Sequence, residues 1–188
     1  KSVPEYKNPF HPSTYAHFVA RKDYRKTYDV YKDDTLLNRQ PKKSRKIFVC
    51  LDEQRGQYLV DGLVAMDFPL SSGVKAYPTK TGDYAVISKK EDHASNLYGK
   101  MYDAESTDPI PEGGRFDGSP MPYWQRLTNA GLGLHVGKVR RHPVSHGCVR
   151  LPRNVAEILY RQTSIGTPVT IQKTPLPVPE AQKAPAGQ

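Results

Sequence analysis

The fold class of this chain is decided by the stretch Gln57-Tyr58-Leu59-Val60-Asp61-Gly62-Leu63-Val64-Ala65-Met66. Two short runs of β-branched, aromatic and aliphatic residues flank Asp61-Gly62, a dipeptide typical of the two-residue turn of a β-hairpin. Further runs of the same kind lie at 47–51, 82–87, 132–136 and 168–172. The sequence therefore predicts a mainly β domain in which each of these runs is a strand.

One helix is clearly predicted, directly after Pro152. Asn154 is suited to cap its N-terminus, and Glu157 stands three residues later, as in a capping box. Gly166 lies beyond its C-terminus, where glycine commonly follows a helix. Apolar residues recur on one face of the segment, at Val155, Ile158 and Leu159. We expect this face to pack on the strands.

The length and composition predict one domain with appendages. The chain has 188 residues, and domains commonly have about 100–200. Hydrophobic residues make up 37% and the mean hydropathy is −0.68, so part of the chain is expected outside the core. We predict an N-terminal arm at 1–45, a main domain at 46–173, and a Pro- and Ala-rich tail at 174–188 that is extended or disordered.

Two regions of weaker pattern have predicted roles. The arm is rich in Tyr and basic residues, and residues 24–37 within it predict a short helix packed on the body. Residues 103–120 form a long turn-rich segment. Such a segment in a compact domain is typical of a lid or a binding loop.

The chain is strongly basic. It has 28 Lys and Arg residues against 19 Asp and Glu residues, which gives a net charge of +9. This balance favours an anionic partner, whether nucleic acid, an anionic membrane surface or an acidic cell-wall polymer. No apolar run approaches the roughly 20 residues of a membrane span, so we expect no transmembrane segment. The chain begins with Lys1 rather than Met, which is compatible with a removed export signal.

The residues that indicate chemistry lie in Gly133-Leu134-His135-Val136-Gly137 and Ser145-His146-Gly147-Cys148-Val149-Arg150-Leu151-Pro152. A thiol is a good nucleophile only as the thiolate, and with an unperturbed pKa of about 8.5 it needs a base. His135 is the candidate base if the intervening loop brings Cys148 to it. The amides of Gly147 and Cys148 are candidate oxyanion donors, and Arg150 is a candidate ligand for a substrate carboxylate. These residue types suggest acyl transfer.

Three other interpretations of these residues are open at this point. Cys148 can be a buried thiol beside a packing histidine. It can form a disulfide with Cys50, although Cys50 stands in an apolar run typical of a core strand. Zinc is the third, with His135, His142, His146 and Cys148 as ligands, but their spacing matches no common zinc pattern. We predict neither a metal nor another cofactor.

His135 with Gly137, a spacer and Ser145-His146-Gly147-Cys148-Val149-Arg150 closely resembles the signature of the L,D-transpeptidase catalytic domain, also called the YkuD domain. The resemblance extends over residues 46–172. Further segments that resemble the family lie at 68–73, 77–84, 93–99 and 121–127. The last two resemble a branch of the family that is common in Gram-negative bacteria.

The resemblance implies a fold of two packed mixed sheets with a helix after the catalytic cysteine. It also implies that Cys148 is the nucleophile and His135 the base. In this family a backbone carbonyl often replaces the acidic third member of a triad. Ser145, His146 and Gly147 then support the nucleophile and the oxyanion site.

The family acts on peptidoglycan stem peptides. The resemblance therefore implies that Cys148 attacks the carbonyl of the third residue, a diaminopimelate, and expels the terminal D-alanine. An amine of another stem then takes the thioester, which gives a 3→3 cross-link. If water takes the thioester instead, the enzyme is an L,D-carboxypeptidase. If a lysine of a lipoprotein takes it, that lipoprotein becomes attached to the wall. Tyr123 and Trp124 are candidate contacts for the stem, although such aromatic residues more often belong to a core.

An enzyme with this substrate is expected in the periplasm or cell envelope, where its positive charge suits an anionic wall. Cys148 must stay unpaired there. A wall-binding module without turnover is an alternative class, and the presence of both His135 and Cys148 argues against it. A nucleic-acid-binding protein would rest on charge and Tyr content alone, so we expect no nucleic-acid partner.

Overall fold

The computed structural model describes residues 5–102 and 115–183, and within these ranges the backbone alone for 95–102 and 115–119. This part of the chain contains twelve strands and three α-helices. The helices are α1 (Tyr15–Val19), α2 (Asp34–Leu37) and α3 (Arg153–Gln162). The strands are β1 (Tyr31–Lys32), β2 (Arg45–Cys50), β3 (Arg55–Val60), β4 (Leu63–Pro69), β5 (Gly82–Ala85), β6 (Ser88–Lys90), β7 (Ala94–Tyr102), β8 (Arg115–Pro120), β9 (Trp124–Arg126), β10 (Gly133–Val136), β11 (Val149–Leu151) and β12 (Pro168–Gln172).

The strands form two mixed sheets and a separate hairpin. The first sheet has the order β1-β4-β3-β2-β12-β5, in which β12 runs parallel to β2 and the other neighbours are antiparallel. The second has the order β11-β10-β9-β6, in which β10 and β11 are parallel. Strands β7 and β8 pair with each other. The predicted mainly β fold of two mixed sheets is confirmed.

The predicted hairpin joins β3 to β4. Asp61 and Gly62 have φ angles of 51° and 80°, and a type I′ turn requires positive φ at both central residues. Val60 consequently pairs directly with Leu63. This turn sets which side chains of β3 and β4 point to each face of the sheet.

The two sheets share one apolar core. Ile47 of β2, Leu134 of β10 and Val149 of β11 are each at most 1% exposed and belong to the same cluster. Helix α3 adds three buried side chains from one face, Val155, Ala156 and Leu159. The sheets and the predicted helix therefore pack together as one body.

Helix α3 begins earlier than the sequence predicts. Its N-cap is Pro152, whose carbonyl accepts the hydrogen bond of the Ala156 amide at 2.9 Å. No side chain caps this terminus, so the capping box predicted from Asn154 and Glu157 is wrong. The ring of Pro152 holds φ at −56°, which starts the helix without a polar cap because φ is fixed covalently.

The N-terminal segment, residues 5–37, packs on the outer face of the first sheet. Tyr15 and Tyr24 form a second apolar cluster with Leu59 of β3 and Val64 of β4. Strand β1 of this segment pairs with β4, and α2 lies in the stretch predicted to hold a short helix. Strand β3 is buried along its whole length, since the core covers one face and this segment the other.

A buried ion pair lies beneath the N-terminal segment, and we call it the Arg55–Asp67 centre. The Arg55 Nε donates to an Asp67 oxygen at 2.6 Å, and both side chains are 0% exposed. Asp67 also accepts the hydroxyls of Tyr15 at 2.6 Å and Tyr24 at 2.8 Å. The two Nη atoms of Arg55 donate to backbone carbonyls of the segment. Each buried charge thus has fixed polar partners, without which burial would be costly.

The described part of the tail also packs on the first sheet. The side-chain oxygen of Gln182 accepts the Val64 amide at 2.8 Å, and its nitrogen donates to the Val64 carbonyl at 3.1 Å. Residues 103–114 of the predicted lid lie outside the described residues, and 115–120 form β8. Among the helices in the described ranges, none has the length and apolar character needed to cross a bilayer.

Candidate active site

One face of the second sheet carries the polar residues of the site. His135 pairs with Arg150 in the β10–β11 ladder, and Gly133 pairs with Arg126 in the β9–β10 ladder. Because successive side chains of a strand alternate between faces, His135, Arg126 and Arg150 project from the face that points away from the apolar core. Cys148 directly precedes β11 and has the parity of Arg150. The fold therefore brings the predicted nucleophile and base to the same face.

The Cys148 thiol lies in a cleft of about 630 Å³ on this face. Its Sγ donates to the Gly131 carbonyl at 3.2 Å. Burial raises the pKa of the thiol above its usual value, while a hydrogen bond from Gly133 and the charges of Arg126 and Arg150 oppose the rise. The resting nucleophile is therefore a neutral thiol.

His135 is held as a neutral base. It is 6% exposed, and its Nδ1 lies 2.6 Å from the Val136 carbonyl. A carbonyl only accepts, so Nδ1 carries the proton and Nε2 keeps its lone pair. Burial lowers the pKa of His135 to about 4; the Val136 hydrogen bond opposes this, and the charges of Arg150 and His93 add to it. A backbone carbonyl thus orients the imidazole, in the way the family resemblance implies.

The nucleophile and the base are neighbours on the sheet, but they share no hydrogen bond in this state. They lie one strand and two residues apart, which corresponds to about 8 Å between their Cα atoms. The proton of Cys148 is directed to the Gly131 carbonyl instead. A change of the Cys148 side-chain torsion must therefore precede proton transfer to His135.

The turn before Cys148 is fixed by Thr79 and two glycines. Gly147 has a φ of 122°, a conformation that favours glycine. Thr79 Oγ1 donates to the Gly147 carbonyl at 2.6 Å and accepts the Gly73 amide at 2.8 Å. A Cβ on Gly73 would lie 2.8 Å from the Gly147 Cα, so the two backbones are in contact. This contact sets the position of Cys148 at the edge of the cleft.

Ser145 supports the same turn from its buried side. Its Oγ donates to the Cys148 carbonyl at 2.5 Å and accepts the Gly147 amide at 3.1 Å. The Gly147 amide therefore donates within the turn in this conformation, and its role as an oxyanion donor stays a prediction. The Cys148 amide has no acceptor among the described residues, and it remains the candidate donor.

The loop between β10 and β11 is anchored by Arg141. Its guanidinium donates to four backbone carbonyls at 2.6 to 3.3 Å, two in the N-terminal segment and two in the turn between β2 and β3. These carbonyls belong to Arg25, Thr27, Glu53 and Gln54. The stretch of chain that joins the base to the nucleophile is thereby tied to the N-terminal segment.

Four of the predicted site residues line the cleft: Cys148, Gly147, His146 and Trp124. His146 is exposed, and its ring meets that of Tyr77 edge-on with 5.0 Å between centroids. Trp124 is 2% exposed; its ring stacks with His93 at 4.9 Å and lies tilted 6.0 Å from that of His135. His146 therefore shapes the wall of the cleft, and Trp124 lies between the cleft and the base.

Tyr123 and Arg150 are not among the described residues that line the cleft. Tyr123 packs on Tyr160 with 5.5 Å between ring centroids and belongs to the periphery of the core. Arg150 lies against Gly137, since a Cβ on Gly137 would come within 2.7 Å of the Arg150 Cγ. The structure therefore gives Arg150 an electrostatic role near the thiol and leaves the two predicted substrate contacts unsupported.

The metal and disulfide interpretations can also be examined on this geometry. Within the described residues, no group of three or more His, Cys, Asp and Glu side chains is arranged to hold a metal ion. Both cysteines are free thiols. Cys50 is 0% exposed and donates to the Lys173 carbonyl at 3.4 Å. It is a core residue, as its apolar strand predicts.

Sequence reasoning missed two residues beside the thiol, Arg126 and Gly131. Arg126 is the last residue of β9, and Gly131 lies in the turn between β9 and β10. Nearness in sequence to the strand of His135 was the available signal. Their position next to Cys148 follows only from the pairing of β9, β10 and β11.

Comparison with known proteins identifies the family. The YkuD family model, described as the L,D-transpeptidase catalytic domain, matches residues 44–171. The chain belongs to this family. Over 113 residues it is 34% identical to the probable L,D-transpeptidase 3 of Mycobacterium tuberculosis (strain ATCC 25618 / H37Rv), a match that covers 56% of this chain and 38% of that protein.

Solved structures with the same fold agree. An L,D-transpeptidase from Stackebrandtia nassauensis has a TM-score of 0.55 at 24% identity, covering 76% of this chain and 60% of that one. L,D-transpeptidase 3 from Mycobacterium tuberculosis, in complex with a faropenem-derived adduct, has a TM-score of 0.52 at 26% identity, covering 69% and 60%. This chain spans less than two thirds of the length of these relatives. Its assignment to a Gram-negative branch stays a prediction.

Proposed function

We propose that this protein is a cysteine acyltransferase of the L,D-transpeptidase type that acts on peptidoglycan stem peptides. The observation that carries the proposal is a cleft thiol, Cys148, on the same sheet face as a buried neutral imidazole, His135. The hydrogen bond of His135 Nδ1 to a backbone carbonyl leaves Nε2 to act as a base. The family match supports the same class of reaction.

In the first half-reaction, the Cys148 sulfur attacks the carbonyl of the third stem residue. His135 Nε2 takes the thiol proton as the C–S bond forms. It then gives that proton to the amide nitrogen as the C–N bond breaks and D-alanine leaves. The nearby Arg126 and Arg150 favour the developing sulfur anion, and the Cys148 amide is the proposed oxyanion donor.

In the second half-reaction, an amine of another stem attacks the thioester. His135 accepts the amine proton and returns it to the sulfur as the C–S bond breaks. The product is a 3→3 cross-link. Water as acceptor would give an L,D-carboxypeptidase, and a lipoprotein lysine would give a protein tethered to the wall. All of these outcomes share one acyl-enzyme and differ only in the nucleophile that resolves it.

The proposed substrate also sets the proposed location. Peptidoglycan lies outside the cytoplasm, so the enzyme would work in the periplasm or cell envelope. The net charge of +9 suits a polymer whose stems carry free carboxylates. An unpaired Cys148 is compatible with this chemistry, since only a free thiol can form the thioester.

Mass spectrometry of the intact protein after incubation with a carbapenem tests the proposed nucleophile. A related enzyme is known with a faropenem-derived adduct, which supports a β-lactam as the probe. We expect one adduct on the wild-type protein and on Cys50→Ala, in which the other, buried cysteine is removed. We expect none on Cys148→Ala. A folded wild-type protein that forms no adduct contradicts the proposal and favours a wall-binding module.

Product analysis with tetrapeptide-stem muropeptides tests the acceptor. Dimers, tripeptide stems and lipoprotein adducts differ in mass, so one incubation separates the three outcomes. We expect cross-linked dimers that are lost in Cys148→Ala. Tripeptide stems without dimers would retain the acyl-enzyme and assign water as the acceptor.

A further inference from the structure

The cleft around Cys148 is cationic in its described lining. Lys80 and Arg126 contribute two positive side chains, and the described lining includes no Asp or Glu. His93 and His146 also line it. A carboxylate-bearing ligand therefore fits this lining better than a neutral or cationic one.

Arg126 is the cation best placed to bind such a carboxylate. It lies opposite Gly133 in the β9–β10 ladder and lines the same cleft as Cys148. Its guanidinium lies over the Trp124 ring at 5.4 Å from the centroid, and one Nη donates to the Thr128 carbonyl at 3.3 Å. Within the described residues it forms no ion pair. Most of its five N–H donors therefore remain for a ligand.

The indole of Trp124, next to Arg126, carries another donor without an acceptor among the described residues, its Nε1–H. Trp124 is 2% exposed, and its Nε1 is buried without a partner among the described residues. A buried donor without an acceptor is costly, and a bound ligand oxygen would remove that cost. Gly133 permits this position of the ring, because a Cβ there would lie 2.5 Å from the ring of Trp124. The stacked pair of Arg126 and Trp124 thus has the properties of an anion subsite.

The chemistry of the proposed donor places a carboxylate near this pair. When one residue follows the scissile carbonyl, its carboxylate lies only about 3.6 Å further along the chain. We propose that Arg126, stacked on Trp124, binds the C-terminal carboxylate of the departing residue. This inference rests on the proposed function. It makes the cleft selective for stems that end one residue after the scissile bond, because a longer stem presents a neutral amide at that point.

Alkylation of Cys148 tests the subsite without any need for turnover. Iodoacetate is anionic and iodoacetamide is neutral, and both react with the thiolate, so the ratio of their rates cancels changes in thiolate content. We expect Arg126→Gln to lower the iodoacetate-to-iodoacetamide ratio about tenfold, as loss of a charge-assisted hydrogen bond predicts. Lys80→Gln, which removes the other cation of the cleft, is the matched control and should change the ratio by less than about twofold.

Three outcomes decide the inference. A fall confined to Arg126→Gln supports it, and Arg126→Lys should then give an intermediate ratio because the charge stays while the planar fork is lost. An unchanged ratio in Arg126→Gln, or equal falls in Arg126→Gln and Lys80→Gln, overturns it. Thermal unfolding of each variant confirms that it remains folded, since Arg126 is only partly buried.

A pair of donor peptides separates this inference from the proposed function. The wild-type enzyme should use a tetrapeptide stem with a free C-terminal carboxylate about tenfold better than its C-terminal amide, and Arg126→Gln should lose that preference. Turnover without a preference retains the proposed function and overturns the subsite. Absence of turnover with both donors contradicts the proposed function, and the alkylation ratio still decides whether Arg126 binds an anion.

Discussion

The Arg55–Asp67 centre and the cleft around Cys148 both contain buried polar groups. They differ in how many of these groups have hydrogen-bond partners within the protein. In the Arg55–Asp67 centre, the carboxylate has three side-chain donors and the guanidinium has three acceptors, all within the protein. In the cleft, the indole of Trp124 and most of the fork of Arg126 have no protein partner in the described chain. The polar groups of the first region are all paired within the protein, whereas those of the second are largely unpaired within the described residues.

The contrast explains what each region contributes. Partnered charges at the centre hold the N-terminal segment on the first sheet and fix one arrangement. Burial without a charged partner favours the neutral forms of Cys148 and His135, which the proposed proton transfer requires. Substitutions should therefore separate stability from chemistry according to the region that they affect.

The largest effect is expected at the base. His135→Ala should slow acylation by a carbapenem about 10²- to 10⁴-fold, because general-base assistance is lost. The unfolding midpoint should also fall, because removal of this buried ring leaves a cavity, so acylation is measured at a temperature at which the variant remains folded. The control is His142→Ala, which removes an exposed histidine from the loop between β10 and β11. This variant should be acylated at the normal rate. Equal rates in both variants would remove His135 from the mechanism.

Breaking the Arg55–Asp67 centre should act on stability. Asp67→Ala leaves a buried guanidinium without its counter-charge, and we expect a loss of about 3–5 kcal/mol in the free energy of unfolding. Urea denaturation measures it. Glu157→Ala removes the partner of the exposed Arg161 and should cost less than about 1 kcal/mol. If the two variants were equally stable, the centre would have no special part in holding the fold.

Substitution of two glycines with positive φ, one beside the nucleophile and one far from it, tests the comparison further. Gly147 and Gly62 have φ angles of 122° and 80°, so alanine at either position is strained by about 1–3 kcal/mol. Both variants should lose stability in urea denaturation. Only Gly147→Ala should also slow acylation, about tenfold or more if the thiol moves by about 1 Å. Slower acylation in Gly62→Ala would show that global loosening, and not the turn before Cys148, controls the rate.

The last prediction concerns the pH dependence, which tests whether the resting pair is neutral. Protonation of His135 removes the base, so acylation should fall as pH drops through about 4, the lowered pKa of that imidazole. Burial raises the pKa of Cys148, so alkylation by iodoacetamide should rise about tenfold per pH unit from about pH 6 to about pH 8. A flat alkylation rate over that range would instead indicate a thiolate–imidazolium pair.

The sequence predicts the parts of this molecule whose pattern is local. The long runs around Ile47, Tyr58 and Val169 are strands because their apolar residues alternate or cluster over several positions, and the signature residues Cys148 and His135 lie on one sheet face. Strands β6, β9 and β11 have three residues each, too few for a recognisable period. They form because longer neighbours pair with them, which no local pattern reveals.

The same reasoning explains which contacts of the site the sequence did not predict. The role of the Gly147 amide depends on the rotamer of Ser145, and the orientation of Arg150 depends on its contact with Gly137. Arg126 reaches the thiol only through the register of three strands. These contacts depend on side-chain rotamers and on strand pairing, which no local sequence pattern reveals.

The four carbonyl contacts of Arg141 affect where a shortened form of this protein should begin. The family match begins at residue 44, which invites a shortened chain that starts there. Such a chain would lack the carbonyls of Arg25 and Thr27, so the guanidinium would keep only its partners at Glu53 and Gln54. Inhibitors selected against the shortened chain would then meet a looser backbone beside the sulfur than the one that the longer chain presents.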